Sequence, residues 1–142
     1  MLNDLRHGKG KEYYKNGNIK YDGNLVNGKR EGEGKYNFKD GKYYIGQWLN
    51  GNMHGKGIEY YKNGTIKYDG NFNNGKREDD GYCIYENGDY YIGQWFNDLK
   101  HGKGIEYYKN GNIKYDGNFV KGKQKVMENA LGRMVNFILD ND

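Results

Sequence analysis

Five evenly spaced tyrosines constrain the fold of this chain more than any other feature. Each tyrosine begins a motif of five residues with glycine third and a tryptophan, phenylalanine or leucine fifth, as in Tyr44-Ile45-Gly46-Gln47-Trp48. The motifs begin at residues 21, 44, 68, 91 and 115, so the spacing alternates between 23 and 24 residues. A fixed period of this length indicates a repeat array, in which each unit packs on its neighbours.

The order of residues within a unit predicts β-strands with one packed face. Tyr44, Gly46 and Trp48 lie two residues apart and therefore share one face of a strand. In the second strand of the unit, the position of Tyr61 is aromatic in every copy, whereas the position of Tyr60 varies. We therefore predict an antiparallel sheet with one packed aromatic face and one face that is mostly polar.

Turn dipeptides separate the strands at regular intervals. Asn-Gly and Asp-Gly pairs favour tight hairpin turns because both residues adopt positive φ readily. These pairs begin at Asn16, Asp40, Asn63, Asn87 and Asn110 along one edge of the predicted sheet. Along the other edge they begin at Asn27, Asn50 and Asn74, where we predict longer turns. The predicted fold class is all-β, a single-layer antiparallel β-meander of tandem hairpins. About ten short strands would span roughly 45–50 Å at ~4.8 Å per strand.

Glycines recur inside the predicted strands, where they cost stability unless the geometry requires them. Gly46, Gly70 and Gly93 each lie between two aromatic residues of the same face, so we expect rings to lie over the bare backbone there. The expectation for Gly55 and Gly57 is different, because this pair is predicted to form a tight bend.

Composition and charge limit the class of protein further. The 142 residues include 24 Gly and no Pro, and only 35% are hydrophobic. Disordered chains share such a balance, but they do not keep glycine and tyrosine in register. The net charge of +4 permits attraction to anionic partners without requiring it. No signal peptide and no run of about 20 apolar residues is present, so we expect a cytoplasmic chain.

The repeat pattern stops after residue 125, and residues 126–142 form a separate segment. Met127, Leu131, Met134 and Ile138 follow a helical spacing, which predicts a short amphipathic helix. We expect this helix to cap the last hairpin of the array at residues 1–125, because repeat arrays need end caps. The alternative is that the segment docks in a groove, either its own or that of another molecule.

The chain begins in the middle of a unit. Residues 5–10 correspond to residues 99–104, so the first strand of that unit is missing. We therefore expect either a fragment of a longer array or fraying at residues 1–8. Residues 5–27 and 99–121 differ at only four positions, which indicates duplication of a double unit of about 47 residues.

The motif Tyr-x-Gly-x-Trp/Phe, followed by Gly-x-x-His-Gly-x-Gly as at residues 51–57, resembles the MORN repeat (membrane occupation and recognition nexus). The resemblance covers residues 1–125. It implies a twisted, grooved β-meander with aromatic residues on its concave face. It also implies a scaffold or adaptor, often at membranes or the cytoskeleton, or an accessory module on lipid kinases and a histone methyltransferase. Glu31, Glu78, Asp79 and Asp98 depart from the motif, so we expect local differences in those loops.

Residues suited to catalysis or metal binding are present, but their spacing supports neither role. His7, His54 and His101 lie in equivalent predicted turns, roughly 19 Å apart at ~4.8 Å per strand, which is too far for one metal site. Gly-Lys-Gly lacks the spacing of a phosphate loop. Residues 79–80 are predicted to lie in a solvated turn, and Cys83 to fill space on the packed face. We therefore predict no enzyme activity, catalytic residue, cofactor or metal.

The aromatic face is the first candidate binding surface. Rigid aromatic side chains give contact area at a small entropy cost, so this face is predicted to bind a peptide or helix in a groove. Its predicted members are Tyr44, Trp48, Tyr61, Tyr68, Phe72, Tyr85, Tyr91, Trp95, Tyr108 and Tyr115. The alternative is that these rings only pack on one another, and a single-layer sheet allows both roles.

Basic residues near the turns are the second candidate, because each attracts anionic phospholipid by about 1 kcal/mol near a membrane surface. They are Lys29, Arg30, Lys76, Arg77, Lys100 and Lys103. Interleaved acids such as Glu31 and Asp80 favour a solvated edge instead. Nucleic acid is not an expected partner, because 19 acidic residues oppose it. The strand edge at residues 9–15 provides a site for edge-to-edge self-association.

The sequence therefore predicts a non-enzymatic repeat scaffold or adaptor that binds a protein segment in an aromatic groove. Two alternatives stay open: a phospholipid-binding module that recruits the chain to membranes, and an accessory region of a larger enzyme. Association with membranes or the cytoskeleton is an expectation that comes from the resemblance alone.

Overall fold

The computed structural model describes residues 7–126, which form one antiparallel β-sheet. Its eleven strands are hydrogen-bonded in chain order, so each strand pairs with its neighbours in sequence. The predicted all-β meander is confirmed. The predicted C-terminal helix falls on residues 127–142, outside the described part of the chain. Among residues 7–126, no helix is long and apolar enough to span a membrane.

The strands follow the repeat unit. They are β1 (Gly8–Tyr13), β2 (Ile19–Val26), β3 (Lys29–Asn37), β4 (Tyr43–Leu49), β5 (Asn52–Tyr60), β6 (Ile66–Asn73), β7 (Lys76–Ile84), β8 (Tyr90–Phe96), β9 (Leu99–Tyr107), β10 (Ile113–Val120) and β11 (Lys123–Lys125). The even-numbered strands carry the five-residue motif, and each is followed by an odd-numbered strand that completes the unit.

A row of aligned glycines crosses the sheet. Each strand from β1 to β10 contributes one glycine, and successive glycines are partners in register: Gly10, Gly23, Gly34, Gly46, Gly57, Gly70, Gly81, Gly93, Gly104 and Gly117. The expectation that Gly57 forms a tight bend was wrong. This glycine lies in the middle of β5, between Gly46 and Gly70, because the ring that covers it tolerates no side chain there.

Bulges interrupt β3, β5, β7 and β9 at one equivalent position. Between β4 and β5, Gly46 pairs with Gly57 and Trp48 pairs with Met53, so one residue of β4 lies opposite three residues of β5. Gly55 adopts a φ of 77° within this bulge. Gly55 therefore lies in a bulged strand rather than in a tight bend. The expectation that the histidines and residues 79–80 lie in turns was wrong for His54, His101 and residues 79–80, which lie within β5, β9 and β7.

The alternation between 23 and 24 residues has a structural cause. In the longer units, one lysine before the motif tyrosine has no partner in the strand register; these lysines are Lys20, Lys67 and Lys114. The shorter units have no such irregularity before Tyr44 and Tyr91. The extra residue is thus absorbed as a bulge, and the glycine row stays aligned.

The two edges of the sheet use different turns. Along one edge, two-residue turns have both central residues at positive φ, as at Asn27 (51°) and Gly28 (77°), the pattern of type I′ hairpins. Along the other edge, an Asn or Asp side chain accepts a hydrogen bond from the backbone N–H two residues later. Asn16 accepts from Asn18 in this way at 2.9 Å. The predicted dipeptides lie in turns at both edges, but the predicted lengths were wrong. The turns at Asn27, Asn50 and Asn74 contain two residues, whereas residues 14–18 connect β1 to β2.

The face opposite the aromatic one is not mostly polar, which corrects the expectation from sequence. It carries two apolar clusters of identical composition. The first apolar cluster is Tyr43, Ile45, Ile58 and Tyr60, and the second apolar cluster is Tyr90, Ile92, Ile105 and Tyr107. The two tyrosines of each cluster stack with ring centroids 4.7 Å apart. The pairing of neighbouring strands brings these residues together. The clusters are not evident in the sequence, because the residue type at each single position varies from one unit to the next.

Candidate functional site

A continuous ladder of nine rings covers the packed face. Tyr44 contacts Trp48 of its own strand and Phe72 two strands away, and the other units repeat these contacts. The aromatic ladder runs in the order Tyr21, Trp48, Tyr44, Phe72, Tyr68, Trp95, Tyr91, Phe119 and Tyr115. Its eight contacts are edge-to-face, with centroids 5.1–5.3 Å apart. Such pairs each contribute about 0.5–1.5 kcal/mol beyond the burial of area.

The glycine row allows the rings to reach one another. The Tyr44 ring lies over Gly46 of its own strand and Gly57 of the next strand, where a Cβ would overlap the ring. The bare backbone of β5 thus lets Tyr44 extend to Phe72 on β6. Tyr44 Oη donates a hydrogen bond to the Gln47 carbonyl at 2.8 Å, and the other four motif tyrosines form the same bond.

Burial raises the pKa of the ladder tyrosines, because a phenolate would lose its hydration there. The pKa of Tyr21 is raised to about 12, and the pKa values of Tyr44, Tyr68 and Tyr91 are also raised. All four side chains are fully buried. They are therefore neutral hydrogen-bond donors at physiological pH, and the ladder forms an uncharged layer.

Three cations lie over the aromatic ladder. The Arg30 guanidinium is 5.3 Å from the ring centroid of Tyr21 and 5.4 Å from that of Trp48. Arg77 and Lys100 occupy similar places over later rings, at 5.2–5.5 Å. Cations above ring faces are attracted by the ring quadrupole. This face therefore combines an apolar floor with a charged cover.

Glutamates on the same face hold these cations. Arg30 Nε lies 2.7 Å from Glu12 Oε1, and Arg77 Nε lies 3.3 Å from Glu59 Oε1. The second pair follows the first by 47 residues (30 + 47 = 77 and 12 + 47 = 59). The double unit inferred from sequence is therefore also the period of the ion pairs.

The third glutamate of this series is held differently. Glu106 accepts a hydrogen bond from Gln124 at 2.8 Å, and Lys100 Nζ lies 3.0 Å from its other oxygen. Burial raises the pKa of Glu106, but the bonds from Gln124 and Lys100 outweigh burial and hold the pKa below its usual value. Glu106 is therefore an ionised, buried member of the face at neutral pH.

The structure places most of the predicted groove residues in the core. Six of the ten are 0–6% exposed, namely Tyr44, Trp48, Tyr68, Phe72, Tyr91 and Trp95. Tyr115 ends the ladder and is half-buried, whereas Tyr61, Tyr85 and Tyr108 follow the ends of strands at the hairpin turns. The ten residues thus divide into a buried ladder and a more accessible row along one edge. Contact of either set with a partner stays a prediction.

The sequence-based set omitted several members of this face, three aromatic residues among them. Tyr21 and Phe119 belong to the ladder, and Tyr36 packs on Trp48 with centroids 5.9 Å apart. The repeat contained the signal for Tyr21 and Phe119, because both occupy motif positions. Tyr36 of β3 occupies the position that Glu59 occupies in β5, so the repeat pattern does not mark it as aromatic. The pairing of β3 with β4 places Tyr36 beside the ladder.

Hollows open beside the aromatic ladder along the edge that carries the turn aromatics. One of about 600 Å³ lies between the turns that begin at Tyr14 and Phe38, and one of about 440 Å³ between those at Tyr61 and Tyr85. A third of about 240 Å³ extends across the face, from Tyr61 and Tyr85 past Cys83 to Leu99 at the other edge. The accessible aromatic surface of this face is therefore concentrated around these spaces.

Cys83 lies between the ladder rings of Tyr68 and Tyr91 and is buried. Burial raises the pKa of its thiol, so the thiol is protonated at neutral pH. A buried, protonated thiol is a poor nucleophile. The position of Cys83 agrees with its predicted role as a filler of the packed face.

The residues predicted to contact lipid separate into two groups. Lys29, Lys76 and Lys103 are exposed on the face opposite the ladder. The other three are the cations that cover the aromatic ladder, and they already contact carboxylates. Lipid contact by any of the six stays a prediction.

The described histidines are not grouped for metal binding. Within residues 7–126, no three or more His, Cys, Asp or Glu residues are arranged to hold a metal ion. His54 Nδ1 accepts a hydrogen bond from the Asn74 N–H at 3.4 Å, which ties β5 to the next turn.

Comparison with known families identifies the repeat unit. The MORN repeat family model matches residues 1–19, 21–43, 44–66, 68–90 and 91–113. This chain belongs to the MORN repeat family. Four of the matched units begin at ladder tyrosines, so one MORN unit corresponds to an even-numbered strand with the odd-numbered strand after it. MORN arrays are in general non-enzymatic scaffolds that mediate contacts with proteins or membrane lipids.

Proposed function

We propose that this MORN array is a non-enzymatic scaffold that binds a protein segment, a peptide or a helix, along its aromatic face. The observation that supports the proposal is an aromatic floor with hollows beside it. Within residues 7–126 the protein is a single sheet, so no second layer of strands covers this floor. A rigid surface of this kind binds without first having to be ordered, which lowers the entropy cost of association.

The accessible tyrosines give this surface its proposed contact points. Tyr61 and Tyr85 each line both the 440 Å³ hollow and the 240 Å³ hollow, and both are half-buried. Their hydroxyls are fixed, since Tyr61 donates to the Ile84 carbonyl at 2.6 Å and Lys100 donates to Tyr85 at 2.6 Å. Aromatic side chains that are already held in place lose little freedom on binding.

The chemistry of the smaller hollow suggests which side chain enters it. Its lining combines Tyr61, Cys83 and Tyr85 with the paired cations Arg77 and Lys100. Because those cations already contact carboxylates, the hollow offers apolar surface with a polar rim. We expect the bound segment to place an apolar side chain here and polar side chains around it.

The test uses a displayed library of random 16-residue peptides, selected on the immobilised chain. Selected peptides should lose at least tenfold in affinity for Tyr61→Ala, which removes aromatic surface from the hollows. Tyr60→Ala is the matched control, because the neighbouring tyrosine is also half-buried but lies on the opposite face. Fluorescence anisotropy measures binding, and circular dichroism shows that both variants are folded.

Two results would contradict the proposal: no peptide is selected, or Tyr60→Ala rather than Tyr61→Ala weakens binding. Trp48 and Trp95 are unsuitable sites for this test. Both are ladder residues only 6% exposed, so their replacement would change the stability of the fold as well as any binding.

A phospholipid-binding role is the second candidate, and three exposed lysines on one face favour it. They are Lys29, Lys76 and Lys103. Flotation with phosphoinositide vesicles should then recover the chain at low salt and lose it at high salt, because exposed charges are screened. Reversal of all three lysines to glutamate should abolish recovery. Recovery that does not depend on salt, or that survives the reversal, would count against this role.

A further inference from the structure

The face opposite the aromatic ladder carries large apolar side chains in two matching groups. The first apolar cluster lies on β4 and β5, and the second lies on β8 and β9. Ile45 is 43% exposed and Ile92 is 49% exposed. Large apolar side chains that lie together at a surface mark an interaction site. This surface is separate from the one proposed to bind a peptide.

Polar residues flank the clusters in a self-complementary order. One register row runs across the sheet with one residue per strand from β3 to β10: Lys35, Ile45, Ile58, Asp69, Tyr82, Ile92, Ile105 and Asp116. Laid against its own reverse, this row pairs Lys35 with Asp116, Ile45 with Ile105, Ile58 with Ile92, and Asp69 with Tyr82. Every position therefore meets a residue of compatible chemistry.

The neighbouring row matches at its four tyrosines, while its end residues, Asn37 and Ile113, differ in polarity. It contains the stacked tyrosines, and reversal places Tyr43 against Tyr107 and Tyr60 against Tyr90. The two clusters match because the 47-residue double unit generates both (43 + 47 = 90 and 60 + 47 = 107). A surface that fits its own reverse suits an isologous contact.

We propose that a second copy of this chain packs on this face, related to the first by a two-fold axis parallel to the strands between β6 and β7. Such an axis reverses the order of the strands and keeps positions along them. The first apolar cluster of each copy then covers the second apolar cluster of the other. Both aromatic ladders face outward, which makes the dimer a bivalent scaffold.

Charge selects this axis over the other two-fold arrangement. An axis perpendicular to the strands would place each strand over its own copy, so Lys35 would face Lys35 and Asp69 would face Asp69. Like charges brought together at an interface oppose association. The axis parallel to the strands replaces these clashes with contacts between Lys35 and Asp116 and between Asp69 and the Tyr82 hydroxyl.

The available area is that of a stable dimer. Eight strands at ~4.8 Å span ~38 Å, and six residues at ~3.4 Å span ~20 Å, which gives roughly 760 Å² per copy. Specific interfaces bury about 800 Å² per partner. The face from β3 to β10 is therefore wide enough to hold two copies together.

Sedimentation equilibrium of the full chain between 1 and 100 μM tests the proposal, with a dimer expected for the unmodified protein. Ile92→Lys should raise the dissociation constant at least tenfold, because it places a charge at two equivalent points of the interface. Val26→Lys is the matched control, since Val26 is 45% exposed on the same face but lies on β2, outside the overlap. Circular dichroism shows whether each variant is folded.

A charge exchange tests the axis itself. Lys35→Asp should weaken the dimer, because two aspartates then face each other across the interface. Adding Asp116→Lys to Lys35→Asp should restore it, because the pair is re-formed with the charges exchanged. Restoration distinguishes the proposed axis from the perpendicular one, because the perpendicular axis brings each of these positions against its own copy.

Three outcomes would overturn the proposal: a monomer throughout the concentration range, a dimer that survives Ile92→Lys, or a charge exchange that fails to restore association. The second outcome would favour pairing through another surface, such as the edge strand β1. Peptide binding to Ile92→Lys reports on the aromatic face alone, so failure of this proposal and failure of the proposed function are distinguishable.

Discussion

At the scale of single residues, the packing of the aromatic ladder depends on the absence of side chains beneath it. Each motif tyrosine lies over a glycine of its own strand, and Tyr44, for example, also covers Gly57 of the next strand. The ring crosses that strand to reach the next aromatic residue. Glycine lowers strand stability on its own, but here it permits an edge-to-face contact and a hydrogen bond in every unit.

Gly57→Ala should lower the free energy of unfolding by about 1–3 kcal/mol, the usual cost of overpacking. The added Cβ would overlap the ring and hydroxyl of Tyr44. Urea unfolding measures the loss, and a double-mutant cycle with Tyr44→Ala isolates its cause. An equal cost in the presence and absence of the Tyr44 ring would show that the ring is not the reason.

The two tryptophans of the ladder should respond differently to loss of their indole N–H. Trp48 Nε1 donates to the Gly34 carbonyl at 3.0 Å, whereas Trp95 Nε1 is the buried side-chain polar atom without a hydrogen-bond partner among residues 7–126. We expect Trp48→Phe to lower the free energy of unfolding by about 1 kcal/mol more than Trp95→Phe does, because a hydrogen bond usually contributes about this much. Equal losses in urea unfolding would contradict the assignment of these bonds.

At the scale of the strand, bulges and turns set the register of the sheet. The bulge in β3, β5 and β9 uses glycine at positive φ, at Gly32, Gly55 and Gly102. In β7 the same place is occupied by Asp79 with a φ of 57°. The motif departure at this residue therefore leaves the backbone conformation unchanged. Asp79 instead adopts a positive φ, which is strained for a residue with a side chain.

Asp79→Gly should raise the free energy of unfolding by about 1 kcal/mol, because glycine adopts this conformation without strain. The control is Asp98→Gly, at a φ of 73° in a turn. Asp98 also accepts a hydrogen bond from the Arg77 N–H at 3.2 Å, so relief of strain and loss of the bond should nearly offset there. A loss of stability in Asp79→Gly would mean that the aspartate side chain supports the bulge.

The buried carboxylate of β9 should make stability depend on acid pH. The pKa of Glu106 is lowered in the folded state, so its stabilisation is present above its usual pKa and is lost as pH falls through the folded value. Glu106→Gln should therefore lower the free energy of unfolding by about 1–3 kcal/mol at neutral pH. The difference from the unmodified chain should shrink in strong acid. Glu33→Gln, at an exposed residue, is the control, and a difference that does not vary with pH would contradict this role.

At the scale of the whole molecule, the array is held together by contacts between neighbouring units. Contacts join each strand to its neighbours in sequence, and the ladder joins each even-numbered strand to the next. Stability is then approximately a sum of unit and neighbour terms, as in other repeat proteins. Ionisation of equivalent groups along the array should therefore have additive effects.

Alkaline pH should destabilise the array through its buried tyrosines. The pKa values of Tyr21, Tyr44, Tyr68 and Tyr91 are raised in the folded state, so these groups stabilise the fold fully below their ordinary pKa near 10. Above that pH the unfolded chain releases protons first, and stability falls; for Tyr21 the loss continues to about pH 12. Urea unfolding at a series of pH values measures the slope.

Replacing one of these tyrosines provides the control for the alkaline transition. Tyr44→Phe removes one titrating hydroxyl and keeps the ring in the ladder. Above pH 10 the free energy of unfolding should fall less steeply with pH in this variant, by the contribution of one titrating proton. An unchanged decline would place its cause in groups other than the ladder tyrosines.

The sequence predicted the repeat unit, the packed face and the turns because each depends on neighbours along the chain. Tyr44, Gly46 and Trp48 are close enough in sequence for strand alternation alone to place them on one face. Gly57 was assigned to a bend because its reason for being glycine is the Tyr44 ring on another strand. The ring of Tyr36 beside Trp48 was missed for the same reason.

The repeat, the all-β class and the turn chemistry followed from the sequence alone, because periodic spacing and local backbone preference do not require contacts between distant residues. Only the tertiary structure decided which residues meet across strands. It placed six of the ten predicted groove aromatics in a buried ladder under paired cations, and it revealed two apolar clusters on the face expected to be polar. Strand register determines these contacts, because it brings together side chains that are far apart along the chain.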